Sequence, residues 1–179
     1  MQEHLSQAAL FVPMIQASGY QGQSWPDLDM LANTIATDGG QRIQMSLWCM
    51  ARSPLIIGDD VRNKTAQDLW YYTNPDLLLI NNASTHNREV TSTKQGTTYV
   101  TSTWAAESTA LSGVYYAALI NVGGSSAEMG LSFAQLGINM TTCSVQDLWQ
   151  HKAAGTASGS YTAAVPAGDV VVVSFSLCH

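Results

Sequence analysis

Trp25-Pro26-Asp27-Leu28-Asp29-Met30-Leu31 is the stretch on which the reading of this 179-residue chain turns. It places two carboxylates two residues apart at the end of an apolar segment. In a strand, residues i and i+2 share one face, so Asp27 and Asp29 would project to the same side. Two anions held together call for a sugar, a metal or a hydrogen-bond network to engage them. The alternative is a loop carrying two solvated aspartates.

Working outward, the flanking segments alternate between helical and strand periodicity. Leu5, Ala8, Ala9 and Val12 stand at helical spacing over residues 3–12. Phe11 to Ile15 then reads as a short apolar run, and Gly19 to Gly22 as a loop. After the acidic stretch, Asp38-Gly39-Gly40 can cap a helix from about Gln41 to Arg52. Ile43, Leu47 and Met50 share one face of that helix, Met45 and Trp48 widen it, and Pro54 ends or kinks it. Leu55-Ile56-Ile57-Gly58 is fully apolar, as expected of a buried parallel strand. A further helix spans Thr65 to Tyr72 and stops before Asn74-Pro75. Residues 76–81 make another short helix or an extended segment. Alternation of this kind is the signature of a parallel sheet.

Near residue 86 the texture changes. Helical periodicity gives way to short runs rich in Val, Thr and Tyr. Strands are expected at 88–93, 97–104, 114–121, 127–133, 142–148, 159–165 and 169–176. Strands this short, at turn-punctuated intervals, predict an antiparallel sandwich. The uniformly apolar Val170 to Val173 belongs at its centre. The expected fold class is therefore α/β followed by all-β, with residues 1–86 and 87–179 as the two domains.

Composition narrows the function classes. Charged residues make up 11% and the net charge is −6. That excludes the basic patch a nucleic-acid partner requires. No run of about 18 apolar residues exists, so no membrane helix is expected. The first residues lack a basic region followed by an apolar core, so no signal peptide is visible. Sequons at Asn63, Asn82 and Asn139 point toward a secreted eukaryotic origin. Cys49 lies in an apolar helical run and reads as a buried free thiol. Cys143 and Cys178 both fall in the β region and could pair.

Other chemistries find little footing. His4, His86, His151 and His179 are scattered without metal-ligand spacing. No Gly-x-Ser-x-Gly elbow and no glycine-rich phosphate loop occur. Asp59 and Asp60 read as structural, by helix N-capping or by pairing with Arg62. Trp104, Tyr115, Tyr116, Trp149 and Tyr161 either form a sugar-binding platform or sit in the core and the interface between the two parts.

The ordered set of motifs resembles the end of the catalytic barrel in the α-galactosidase (melibiase) family of glycoside hydrolases. The resemblance rests on Trp25 to Leu31, on Arg42 with Ser46-Leu47-Trp48, and on Ser53-Pro54-Leu55 with Gly58, Asp60 and Arg62. Leu79-Ile80-Asn81-Asn82 is similar to the family's turn at the barrel exit. Asp147-Leu148-Trp149 with Lys152, then Val165-Pro166, is similar to the signature of its C-terminal β domain. The likeness covers roughly residues 11–176. Pro26 and Leu28 depart from the commoner pattern, and with Asn82, Ser84, Asn87 and Arg88 look closer to the plant-type branch acting on β-L-arabinopyranosides as well as α-galactosides.

The resemblance implies the last βα units of a (β/α)8 barrel followed by an antiparallel β-sandwich. It implies Asp29 and Met30 as substrate-binding residues, with Asp29 accepting hydrogen bonds from sugar hydroxyls and Met30 packing against the ring. Trp25 and Asp27 would support the pocket, with Asp27 expected to order the loop rather than touch sugar. Retaining glycosidases need two carboxyl groups about 5–5.5 Å apart. In the family these lie in a Lys-x-Asp strand and an Arg-x-x-x-Asp stretch upstream of the acidic motif, and neither is found in this chain. No catalytic residue, metal or cofactor is therefore expected here. The expectation is a C-terminal piece of a longer, secreted or vacuolar-lysosomal enzyme, whose signal peptide would lie upstream. The other reading is a non-catalytic sugar-binding or structural module with a vestigial barrel remnant.

Overall fold

In a computed structural model, residues 1–20, 22–32 and 37–179 are described. Helix α1 spans Gln2–Ala17 and buries Leu5, Ala8 and Val12 along one stripe. It runs through the Phe11 to Ile15 segment that periodicity alone separates from it, with Pro13 inside. Proline forfeits one backbone hydrogen bond at that point. The buried stripe ends at Val12, one residue before the proline, and beyond it Gln16 Nε2 donates to Asn87 O, so tertiary contacts hold the helix on both sides.

Helix α2 spans Asp38–Ala51, starting three residues earlier than expected, because Thr37 is the cap: its hydroxyl accepts from the Gly40 amide. Arg52 ends it in a left-handed conformation, two residues before Pro54. Ten of its residues are buried, including Trp48, Leu47, Met50 and the free thiol of Cys49. Burial pushes the Cys49 thiol well above the usual range. Asp60 caps a short 3-10 turn over Val61–Asn63 and pairs with Arg62 at 2.8 Å. Helix α3, Ala66–Tyr72, begins with a capping box between Thr65 and Asp68. Helix α4, Pro75–Asn82, is capped by Asn74 with Pro75 in its first turn.

The expected buried strand at Leu55 to Gly58 is reduced to one parallel bridge. Leu31 donates to Ile56 O at 2.7 Å and Gly58 donates to Leu31 O at 2.9 Å. Ile56 and Ile57 remain 51% and 40% exposed. Among the described residues the apolar run has no second strand neighbour and no cover over Ile56 and Ile57.

From Ser84 onward the chain is an antiparallel sheet. Strands β1 to β4 are Ser84–Gln95, Thr98–Ser108, Tyr115–Asn121 and Ala127–Ser132. After a short helix α5, Phe133–Leu136, strands β5 to β8 are Thr142–Asp147, Lys152–Ser158, Ser160–Val165 and Asp169–Ser176. The hydrogen-bonded order is β1-β2-β3-β8-β5-β6-β7-β4. Strand β6 was missed from sequence. Its residues, Lys152 to Ser158, are small or polar and all exposed but Ala157, so no apolar alternation marks it. β8 lies centrally, between β3 and β5, as its valines predict.

Period-two alternation gives β2, β3 and β8 two different apolar faces. Trp104, Ala118 and Val172 are register partners facing the helices, while Ala105, Ala117 and Val173 face the second layer. There Met129 and Leu131 of β4 and Val165 of β7 complete the sandwich core. The Cys143–Cys178 disulfide joins the start of β5 to the chain end, with 4.1 Å between Cα atoms.

The helices dock on the other face. Trp149 stacks at 5.1 Å from Trp70 and donates from its indole to Ser46 Oγ at 3.1 Å. Asn74 Nδ2 donates to Leu148 O at 2.9 Å. Gly39 comes so close to the β7–β8 turn that an added Cβ would stand 2.2 Å from Gly168 O. Arg42 of α2 holds Asp169 of β8 through Nε at 2.9 Å and Nη2 at 2.7 Å.

Candidate functional site

The acidic motif is a loop, not a strand, and its backbone is held by side chains. Exposure still alternates, with Pro26 and Leu28 buried and Asp27 and Asp29 exposed. Asp29 adopts a left-handed backbone, φ 71°, a conformation that short polar residues tolerate best. The Asp29 amide donates to Asp27 Oδ1 at 2.9 Å, an Asx turn that explains why an Asp stands at 27. The Met30 amide donates to Asp29 Oδ1 at 2.7 Å. A carboxylate retains acceptor capacity at its second oxygen.

Helix α2 supplies the remaining anchors. Trp48 Nε1 donates to Asp29 O at 2.8 Å. Gln44, one turn earlier on the same face, donates to Met30 O at 3.4 Å and accepts from the Ala32 amide at 3.3 Å. Just past the helix, Ser53 Oγ accepts from the Leu28 amide at 2.9 Å. Gly58 makes room on the far side: an added Cβ would meet Met30 Cβ at 2.8 Å.

Asp29 and Met30 share an open depression with His4, Ala32 and Gln44. Met30 is 51% exposed there. His4 lies with its ring 5.0 Å from that of Trp48, and its Nδ1 is buried without a partner. Burial lowers its pKa, helped by the N-terminal amino group and opposed by Glu3 and Asp29. A neutral, apolar-backed rim with one carboxylate suits an uncharged polyhydroxylated ligand. Among the described residues, no group of three or more His, Cys, Asp or Glu could hold a metal.

Trp25 lies elsewhere. It is 44% exposed and lines two other hollows, both shared with Arg52. Arg52 itself is spent on the end of α4, donating to the carbonyls of Asn81, Asn82 and Ser84 at 2.9–3.1 Å. The loop thus brings Asp29 and Met30 together, gives Asp27 a backbone partner, and directs Trp25 to another surface. His4 and Gln44 were not singled out from sequence. Gln44 left one legible signal, a polar residue one helical turn from Trp48 on an otherwise apolar face.

The aromatic platform does not exist. Trp104, Tyr116 and Trp149 are at most 3% exposed and belong to the core that the helices share with the sheet. Tyr115 and Tyr161 pack against the sandwich core. Asp59 pairs with Lys64 at 2.9 Å. His151 meets Asp76 at 2.8 Å, joining a surface turn to α4. No helix among the described residues is long and apolar enough to cross a membrane.

Comparison with known proteins identifies what the chain is similar to. Residues 98–175 match the α-galactosidase C-terminal β-sandwich domain. An Arabidopsis thaliana α-galactosidase is 34% identical over 152 residues, covering 81% of this chain and 34% of that protein. A Coffea arabica α-galactosidase is 31% identical over 145 residues, covering 80% of this chain and 37% of that protein. The chain thus spans about a third of the length of these plant relatives. A β-L-arabinopyranosidase from Geobacillus stearothermophilus, solved with arabinose, superposes over 99% of this chain and 42% of its own with a TM-score of 0.85 at 21% identity. The domain match and the plant relatives support a C-terminal part of an α-galactosidase family protein, and the solved structure shows the shared fold.

Proposed function

We propose that the chain is the C-terminal part of a retaining glycoside hydrolase, whose parent removes terminal α-D-galactosyl or β-L-arabinopyranosyl residues. The observation that carries this reading is the Asp29–Met30 pair, held side by side on an exposed depression in a chain of this family. Asp29 accepts from sugar hydroxyls and Met30 packs against the ring, while Asp27 orders the loop. The two reacting carboxyl groups come from the upstream barrel. Relatives solved with arabinose and with raffinose support this sugar class. The two candidate glycons differ by one hydroxymethyl group, so selectivity resides in a wall supplied by the upstream part.

A surface awaiting cover supports the larger parent. Leu10, Phe11 and Met14 of α1 are 41–57% exposed, and Ile56, Ile57 and Val61 are 40–64% exposed. Exposed apolar surface of this extent marks an interaction face, here the remaining barrel. We place the division of the chain at residues 1–86 and 87–179. The change from helices to strands at Ser84 and the bulge at His86, φ 54°, support it. The Cys143–Cys178 disulfide supports an oxidising, secreted or vacuolar-lysosomal compartment.

The test is the mass and activity of the native gene product. A product several hundred residues longer than this chain should hydrolyse nitrophenyl α-galactoside or β-L-arabinopyranoside. In it, Asp29→Asn should lower kcat/KM by roughly 30-fold or more, the loss expected when a hydrogen bond to a charged acceptor disappears. Full activity in that variant removes Asp29 from the pocket. A native product of 179 residues would instead favour a non-catalytic module.

A further inference from the structure

We infer that Trp48 is a positioning residue for the sugar pocket: its indole N–H sets the peptide plane from which the Asp29 carboxylate and the Met30 side chain project. The inference rests on the reading of Asp29 and Met30 as the sugar-contacting pair and adds to it the group that holds them.

Asp29 is pinned on both sides. Its own N–H is taken by Asp27 Oδ1 at 2.9 Å and its C=O by Trp48 Nε1 at 2.8 Å. The carbonyl bond fixes the Asp29–Met30 peptide plane, because that plane is rigid. The same plane carries the Met30 N–H, which donates to Asp29 Oδ1 at 2.7 Å. Orientation of the indole is thereby passed to the carboxylate through one rigid unit. The left-handed backbone of Asp29, φ 71°, makes this necessary, since an L-residue leaves that region unless its surroundings hold it there. Trp48 itself cannot turn. It is fully buried in α2, with the His4 ring against it at 5.0 Å. Gln44, at i−4 on the same face, repeats the arrangement one residue further along the loop through Met30 O and the Ala32 amide. Helix α2 thus serves as a side-chain strand, supplying the partners that a neighbouring backbone would give.

The test uses the isotope-labelled 179-residue chain. Trp48→Phe deletes the indole N–H and keeps an aromatic ring. Trp104→Phe, at another fully buried tryptophan, whose indole donates to Ser102 Oγ at 2.9 Å, is the control for a merely structural loss. In Trp48→Phe the Met30 amide should exchange roughly five-fold faster or more, and the Asp29 carboxyl carbon resonance should move. Amides of β3 and β8 should keep their rates. Trp104→Phe should leave Met30 and Asp29 unmoved. Unchanged Met30 and Asp29 signals in Trp48→Phe overturn the inference. Should that variant fail to fold, the unsubstituted chain decides: a hydrogen-bond coupling between Trp48 Nε1 and the Asp29 carbonyl carbon supports it, and its absence overturns it. Titration with D-galactose and L-arabinose tests the underlying reading separately. A response of Asp29 to either sugar supports that reading, whereas full activity of Asp29→Asn in the longer native product overturns it and, with an intact Trp48 effect, leaves the positioning role standing.

Discussion

Removing the Arg42–Asp169 pair should loosen the helices from the sandwich by a predictable amount. The guanidinium meets the carboxylate through two nearly parallel bonds, at 2.9 and 2.7 Å, between residues 127 apart in sequence. The two side chains are only 23% and 19% exposed. Fully exposed pairs contribute about 0–1 kcal/mol. Breaking a buried pair from one side costs about 3–5 kcal/mol, because the remaining charge is stranded. An exposure near one fifth puts this pair between those limits, at about 2 kcal/mol for Asp169→Asn. The Asp169 hydrogen bond, the main cause, raises the Arg42 pKa, in keeping with a guanidinium stabilised in its charged form. For a chain of this size, about 2 kcal/mol corresponds to a fall in Tm of about 4–8 °C. The assay is urea unfolding of Asp169→Asn, Arg42→Met and the double variant, followed by tryptophan fluorescence. A double-mutant cycle isolates the pair from the other contacts of each residue. A coupling energy of about 1.5 kcal/mol or more is expected, weakly dependent on salt because the pair is partly shielded. A coupling below about 0.5 kcal/mol would refute the claim that this bridge joins the two parts.

Three further outcomes can be checked on the same chain. Replacing Cys143 and Cys178 by alanine reopens a loop of 35 residues, and the chain-entropy relation gives a loss of about 4 kcal/mol in unfolding free energy. Gly39→Ala forces a Cβ to within 2.2 Å of Gly168 O, with backbone on both sides. It should cost about 1–3 kcal/mol although alanine favours helices, and a variant as stable as the parent would show that α2 can shift freely over the β7–β8 turn. Burial, with Asp59 and Asp68 adding to it, pushes the Tyr72 hydroxyl up to about 12. Above pH 10 the unfolded chain sheds that proton while the folded one keeps it, so stability falls as pH rises from 10 to 12. Tyr72→Phe should flatten that part of the stability curve, and an unchanged slope would place the titration on the other buried tyrosines.

The acidic stretch and the segments around it made the fold class legible before any coordinates, because each rests on local chemistry. Period-3.6 spacing marks α1 and α2, a helix is expected at α3, residues 76–81 fit either a helix or an extended segment, and runs of Val, Thr and Tyr mark seven strands. A uniformly apolar Val170 to Val173 announced the centre of the sheet. Spacing put Asp29 beside Met30, and Cys143 and Cys178 in the same β region. What sequence could not reveal depends on neighbours distant along the chain. Strand β6 carries no apolar alternation and exists because β5 offers it a partner. Leu55 to Gly58 reads as a buried strand, yet Ile56 and Ile57 stay exposed because no described residue covers them. Pro13 lies inside α1 between the buried stripe that ends at Val12 and the Gln16 side chain that donates to Asn87 O.

The site divides along the same line. The sequence by itself determined the chemical groups: one carboxylate and one thioether side by side, a second aspartate two residues earlier, and a tryptophan and glutamine one turn apart on the following helix. Only the tertiary structure decided which groups act together. It brought Trp48 and Gln44 under the loop, seated His4 against Trp48, sent Trp25 to another surface, and buried the sandwich aromatics that composition alone left free to bind sugar. The reason is physical. A residue's chemistry is carried by its own atoms, whereas a left-handed Asp29 held by an indole 19 residues away exists only once the helix has packed.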